Sequence, residues 1–254
     1  MSTKACLSLT VAESKRLIAK GVVALPQVKH AIANGTVAIG RGSTNAYVVE
    51  ELIGRRIDRT AYVAGITLPS KPATPPKLAA EKMPDVVLRR GEQMQGITVP
   101  QAVADMQRGD VLIKGANALN YKEGVAGVLM GHPTGGTVGA TLGTAVTRGV
   151  VIVIPVGLEK CIPESIFEMS RRLGQGGELL GDGYLGLMPI TGLIVTEIEA
   201  IQLLAPGVTA SAIGCGGICG AEGAVWLMLE GERPSVEGAL AVLDGVRGEP
   251  PFGG

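Results

Sequence analysis

Aromatic side chains are nearly missing from this chain: one Trp, four Tyr and two Phe among 254 residues. That leaves no platform on which the bases of a single-stranded nucleic acid would stack. A basic excess is missing as well, because Lys+Arg and Asp+Glu are both 23. The short runs Arg55-Arg56, Arg89-Arg90 and Arg171-Arg172 are scattered, whereas nucleic-acid binding needs a basic face. No nucleic-acid partner is expected.

Long apolar runs are absent too. The segment from Gly124 to Leu158 carries only Arg148 as a charge, but His132-Pro133 and seven glycines between Gly124 and Gly143 break it. Its uninterrupted apolar piece, Val150 to Val156, is far shorter than the ~20 residues of a spanning helix. The N-terminal stretch reaches charged residues without an apolar core, unlike a secretory signal. The expectation is a cytoplasmic protein with no membrane partner.

Metal-binding and redox patterns are thin. The cysteines are Cys6, Cys161, Cys215 and Cys219, and the histidines only His30 and His132. Four dispersed cysteines in a chain this long do not make a disulfide scaffold. Cys215 and Cys219 have C-x3-C spacing with no second pair to complete a four-ligand site. No metal and no cofactor is expected, although a redox or metal role for Cys215 and Cys219 stays open as an alternative.

What the chain does have is glycine, 38 residues of it, and a hydrophobic content of 46%. A core of Ala, Val, Ile and Leu between many tight turns suits a buried sheet covered by helices. The expected class is α/β: three layers, a mostly parallel sheet with helices on both faces, Rossmann-like. Residues 1–254 are expected to form a single α/β domain.

Helical signals are several. Thr10-Val-Ala-Glu13 has the form of a capping box and opens a helix to about Lys20. Pro26 opens another that closes at Asn34-Gly35. Further helices are predicted over about 45–53, 98–107, 135–146, 164–173, 196–204, 221–229 and 235–246. Strands are predicted over 36–39, 60–67, 85–88, 110–114, 150–155 and 208–213, the fifth with five consecutive β-branched residues. Four prolines in residues 69–76 call for an extended loop, a lid or a partner contact. The tail 249–254 is expected to fray.

In a parallel α/β sheet, ligands bind beyond the carboxyl ends of the strands. That points to residues 40–45, 115–120, 157–160 and 214–222. Gly40-Arg41-Gly42-Ser43-Thr44 lies between a strand and a helix. The glycines let backbone amides approach an anion, Ser43 and Thr44 add hydroxyls, and the helix N-terminus adds a partial positive charge. The competing reading is a helix cap with convenient glycines. The stretch is neither a Walker A loop nor G-x-G-x-x-G, since Asn45 stands three residues after Gly42.

Gly40 to Thr44, with the following Ala46-Tyr47-Val48-Val49-Glu50-Glu51-Leu52, resembles the first strand-loop-helix of ribose-5-phosphate isomerase. Its superfamily includes glucosamine-6-phosphate deaminase and the CoA transferases. Asp110-Val-Leu-Ile-Lys-Gly-Ala-Asn-Ala-Leu119 is similar to the later strand of that enzyme, which ends in an Asp-Gly-Ala-Asp-Glu type of loop. The resemblance makes residues 30–160 the superfamily-like core and 161–254 a C-terminal α/β continuation. It implies binding of a phosphorylated or anionic small molecule, with isomerase-like or transferase-like chemistry. The isomerase carboxylates are absent: Lys114, Asn117 and Ala118 stand where acids would be, and neither an amide nor a methyl group is a general base. A ligand-sensing or regulatory protein of the same fold is the alternative.

The predicted ligand-binding residues are Gly40, Arg41, Gly42, Ser43, Thr44, Asn45, Gly115 and Asn117. Catalytic candidates are Lys114, as a buried amine, Glu123 and His132. Asn117 and Asn120 equally suit turn formation, and Glu159-Lys160 an exposed ion pair. Residues 213–223 repeat the strand, glycine loop and helix layout, a second cradle or merely tight packing, with Glu222 opposing a bound anion. A homo-oligomer is expected on general grounds.

Overall fold

The computed structural model describes residues 2–72, 76–181, 183 and 186–253. Among them the chain is a mixed α/β structure with eight α-helices and three sheets. The largest sheet has six strands in the order β10-β8-β5-β2-β3-β4. These are β2 (Thr36–Ile39), β3 (Val86–Arg89), β4 (Glu92–Gln93), β5 (Val111–Ile113), β8 (Val151–Pro155) and β10 (Leu193–Val195). Strands β2, β5, β8 and β10 run parallel, and β3 and β4 add an antiparallel edge.

The central strands are short and almost wholly apolar because both of their faces are buried. Val37, Ala38, Ile39, Val111, Ile113, Val153 and Ile154 have no exposed surface. The Asp110 carboxylate ties two of these strands together, accepting from Thr36 N at 2.7 Å and from Gln107 N at 2.8 Å. It fixes the register in which β2 and β5 end side by side.

Helix α1 (Val11–Ala24) starts at the expected capping box, with both of its bonds formed between Thr10 and Glu13. It packs against α3 (Ser43–Ile53) and α7 (Glu197–Leu204). Close approach to α7 requires Gly21, where a Cβ would lie 2.6 Å from the Ala200 Cβ. Helix α2 (Pro26–Asn34) leads into β2, and α4 (Val99–Asp105) packs against α5 (Gly136–Arg148). Helix α5 ends at Gly149, whose φ of 68° is the left-handed conformation that glycine adopts at little cost. Helices α6 (Ile166–Gly174) and α8 (Arg233–Asp244) complete the set. No described helix is long and apolar enough to cross a membrane.

Two smaller antiparallel sheets were not expected. In one, β12 (Val225–Gly231) lies between β1 (Thr3–Leu9) and β11 (Val208–Cys215). In the other, β7 (Val125–Met130) lies between β6 (Ala118–Asn120) and β9 (Gly186–Ile190). The helix predicted over 221–229 is therefore strand β12, with Val225, Leu227 and Leu229 buried and Trp226 exposed. That alternation is a two-residue period, and pairing on both sides of the strand overrides its mixed local propensity.

The strand predicted over 60–67 is a short 3-10 turn, Arg59–Ala61, followed by irregular chain. Tyr62 explains why. Its hydroxyl donates to Ile39 O at 2.5 Å and accepts from Val86 N at 3.1 Å. Those bonds place the Tyr62 ring in the core instead of the backbone in a ladder. Of the proline-rich segment 69–76, residues 73–75 lie outside the described residues.

Over its described residues, 249–253, the tail does not fray. Glu249 pairs with Arg16 Nε at 3.0 Å, Arg56 Nη1 at 2.6 Å and Arg59 Nη1 at 3.0 Å. Gly248 N donates to Glu13 at 3.0 Å, and Phe252 packs 6.5 Å from the Tyr47 ring. Arg16 is itself buried, pairing also with Glu50 and with Glu51 at 2.8 Å.

Candidate anion-binding site

Beyond the carboxyl ends of β2, β5 and β8 lies a cavity of about 510 Å³. Its floor is the loop Arg41–Asn45 with Lys114, Gly115, Ala116 and Asn117, and its sides include Lys15, Val128, Leu129 and Lys160. Residues Val63 to Leu68 and Phe252-Gly253 close over it, so the irregular chain after Tyr62 and the pinned tail become its walls. The volume suits a small molecule.

The opening loop is built to leave donors free. Gly40 N bonds Ile113 O at 2.9 Å and Gly42 N bonds Tyr62 O at 3.0 Å, so the loop is anchored to β5 and to Tyr62. Helix α3 then begins with Gly42 as its N-cap, and no side chain caps it. Intrahelical bonding starts only at Ala46 N, which donates to Gly42 O at 2.9 Å. The first-turn amides are those that an uncapped helix offers to an anion. Two buried polar atoms beside them also lack partners among the described residues: Thr44 Oγ1 and Asn45 Oδ1. Asn45 is held from its other end, donating to Gly40 O at 2.6 Å.

Charge decides what the cavity prefers. Lys15, Arg41, Lys77, Lys114 and Lys160 line it, and among the described residues no carboxylate does. Arg41 is neutralised locally by Asp85 at 2.9 Å. Lys15, Lys114 and Lys160 have no carboxylate within ion-pair distance among the described residues. Lys114 Nζ donates to Gly115 O at 3.0 Å and Lys160 Nζ to Ala116 O at 2.8 Å. Lys15 Nζ lies 5.4 Å from the centre of the Phe252 ring.

Burial acts on all three amines, and the Lys160 charge acts on the other two. Burial, then the neighbouring Lys160 charge, push Lys15 and Lys114 down to about 8. Lys160 is lowered by burial but supported by Glu159 and Glu197 behind it. Glu197, the first residue of α7, has no exposed surface, and burial followed by the Glu159 charge pushes it up to about 7. One oxygen of each, Glu159 Oε2 and Glu197 Oε1, is buried with no partner among the described residues. An anion entering the cavity would relieve the repulsion among the lysines, the electrostatic condition for tight binding at a partly desolvated site.

No protein-family model, curated protein or solved structure matches the chain. Its own geometry must carry the functional reading.

The structure brings most of the predicted site together. Arg41, Gly42, Ser43, Thr44, Asn45, Lys114, Gly115 and Asn117 all line the cavity, with Gly40 directly beneath, a Cβ there lying 3.0 Å from Lys114 Cδ. Arg41 is held by Asp85, and Asn117 Oδ1 accepts from Leu129 N at 3.1 Å. Asn120 is structural, donating to Glu164 O and accepting from Glu123 N, both at 3.0 Å.

Two of the catalytic candidates lie elsewhere. Glu123 is exposed in the β6–β7 turn, and His132 is an exposed loop residue bonded to Thr134 Oγ1 at 2.9 Å. The second strand-loop-helix layout is instead the β11–β12 hairpin. Cys215 and Cys219 are exposed free thiols there, and no group of three or more His, Cys, Asp or Glu among the described residues is placed to hold a metal. The exposed Glu159-Lys160 ion pair is not formed; Lys160 faces the cavity.

Sequence reasoning missed Lys15, Phe252 and the 63–68 wall. Lys15 is a polar residue in an amphipathic helix, and only its 8% exposure reveals that it points inward.

Proposed function

We propose that this protein binds a phosphorylated or otherwise anionic small molecule in the cavity at the carboxyl ends of β2, β5 and β8. One observation carries the reading: Lys15, Lys114 and Lys160 converge on a cavity whose described wall holds no carboxylate. The first-turn amides of α3, Thr44 and Asn45 supply directional donors and acceptors around the same space. The resemblance of residues 36–54 and 110–119 to the ribose-5-phosphate isomerase superfamily agrees with this ligand class, as does a Rossmann-like, three-layer reading of the sheet. We place the protein among cytoplasmic homo-oligomers, in keeping with the exposed apolar residues Ile213, Ile218 and Trp226 of the β11–β12 hairpin.

The isomerase's own route is disfavoured. Lys114 and Asn117 occupy the positions of its acids, and both line the cavity. A ligand sensor of the same fold is the second reading, favoured by the lack of a carboxylate base on the described wall.

A thermal-shift comparison of inorganic phosphate, sugar phosphates, CoA esters and nucleotides with their uncharged counterparts tests the proposal. A ligand at 100 times its Kd adds about 2.7 kcal/mol, a rise of roughly 5–10 °C in a protein of this size. The expected shift needs the anionic group and shrinks in Lys160→Met. Equal shifts from charged and uncharged members of each pair would contradict it.

A further inference from the structure

Binding alone does not account for how Lys114 is placed. It stands at the carboxyl end of β5, the strand between β2 and β8 in the largest sheet. Its stem runs against Gly40, where a Cβ would meet Lys114 Cδ at 3.0 Å and Cε at 3.8 Å. A side chain at Gly40 would crowd that path, so glycine keeps the lysine in a fixed channel beside the anion loop. The amine is held by Gly115 O at 3.0 Å, a bond that a neutral amine also makes with one N–H.

The charges around it differ from those around its neighbours. Lys160 is backed by Glu159 and Glu197, and Glu159 also supports Lys15. Lys114 has burial and the like charge of Lys160 acting on it, and both favour the uncharged amine. Burial beside a second cation is one way proteins make a lysine nucleophilic.

Resting on the anion-binding reading above, we infer that Lys114 is the amine that forms a Schiff base with an aldehyde or ketone whose phosphate or carboxylate is held by the first turn of α3 and Lys160. The substrate class is thereby narrowed from anions in general to anionic carbonyl compounds. In the step, the Lys114 nitrogen lone pair forms a bond to the carbonyl carbon and the C=O π pair moves to oxygen. The carbinolamine then loses that oxygen as water, which carries away the two protons of the amine, and a C=N bond remains. No oxidant or reductant takes part. Thr44 and Asn45, with unpartnered buried oxygens at the same wall, are placed to orient the ligand.

The test uses pyridoxal 5'-phosphate, an aldehyde carrying a phosphate, trapped with borohydride and located by peptide mass spectrometry on the full chain. The expected result is one adduct per chain, on Lys114, forming half-maximally somewhat above pH 8, because the bound phosphate raises the amine from about 8. Inorganic phosphate should suppress it, and pyridoxal without phosphate should react at least tenfold more slowly. Lys114→Arg should lose the adduct. Labelling spread over exposed lysines, or confined to Lys15 or Lys160, overturns the inference. The thermal shift with inorganic phosphate separates the two proposals. A shift with the label elsewhere removes only the Schiff base, and no shift with no site-directed label removes the anion site as well.

Discussion

Replacing Glu197 with glutamine should stabilise the protein at pH 8 far more than at pH 5. The Glu197 carboxyl is fully buried, accepts from Leu158 N at 3.0 Å through one oxygen and leaves the other without a described partner. Burial, then the Glu159 charge, raise it from 4.5 to about 7. A carboxyl whose folded value is raised binds its proton more tightly in the folded state. Stability therefore falls as pH rises from the unfolded value to the folded one, and is level above that. At 1.36 kcal/mol for each pH unit, the ionised form costs about 3 kcal/mol at pH 8 and about 1 kcal/mol at pH 5. Glutamine keeps the shape and removes the titration. Urea unfolding of both proteins at the two pH values measures the difference. The variant should gain about 2 kcal/mol more at pH 8 than at pH 5, or roughly 4–8 °C in melting temperature. An equal effect at both values, or a loss at pH 8, would mean that the Glu197 carboxyl is not a destabilising buried charge.

Other outcomes follow from the packing and the charges. Gly21→Ala should destabilise by about 1–3 kcal/mol, since its Cβ meets the Cβ and Cα of Ala200 at 2.6 and 2.7 Å, and denaturant midpoints would report it. Glu249→Gln should cost about 3 kcal/mol, because Arg16 and Arg59 lose a buried partner while keeping Glu50. Burial opposes ionisation of Glu249, but hydrogen bonds from Arg16 and Arg56 outweigh it and hold the group at about 2. Its contribution is therefore complete above pH 4.5 and is lost as pH falls toward 2, so wild type should show an acid-induced loss that the variant lacks. Lys160→Met removes the like charge acting on Lys114, whose titration, followed by NMR of labelled lysine, should move above about 8.

The parts of the fold that local chemistry dictates were legible in the sequence. Five consecutive β-branched residues make β8 with little dependence on surroundings, and the capping box at Thr10 sets the start of α1. The glycine and hydroxyl residues between β2 and α3 marked the loop that became the cavity floor, and Lys114 was visible as a strand-end amine. What tertiary pairing dictates was hidden. Strand β12 is strand because β1 and β11 flank it, and its segment alone reads equally as helix. The alternation of Ala5, Leu7 and Leu9 with Lys4, Cys6 and Ser8 did signal β1, but over too short a span to stand out. The lysine convergence was least legible, since Lys15, Lys114 and Lys160 sit on three separate elements that only the sheet order brings to one space. Likewise, nothing local in the tail foretells that Glu249 would find Arg16, Arg56 and Arg59.

Calorimetric titration of inorganic phosphate at pH 8.5, in two buffers of different ionisation enthalpy, tests the lysine-lined anion site most directly. Lys15 and Lys114, both held at about 8, are mostly uncharged at that pH. A bound anion should draw protons back onto them. Binding is expected with uptake of roughly one proton per phosphate, falling as the pH is lowered to 7. Binding without proton uptake, or no binding, would contradict the lysine-lined anion site.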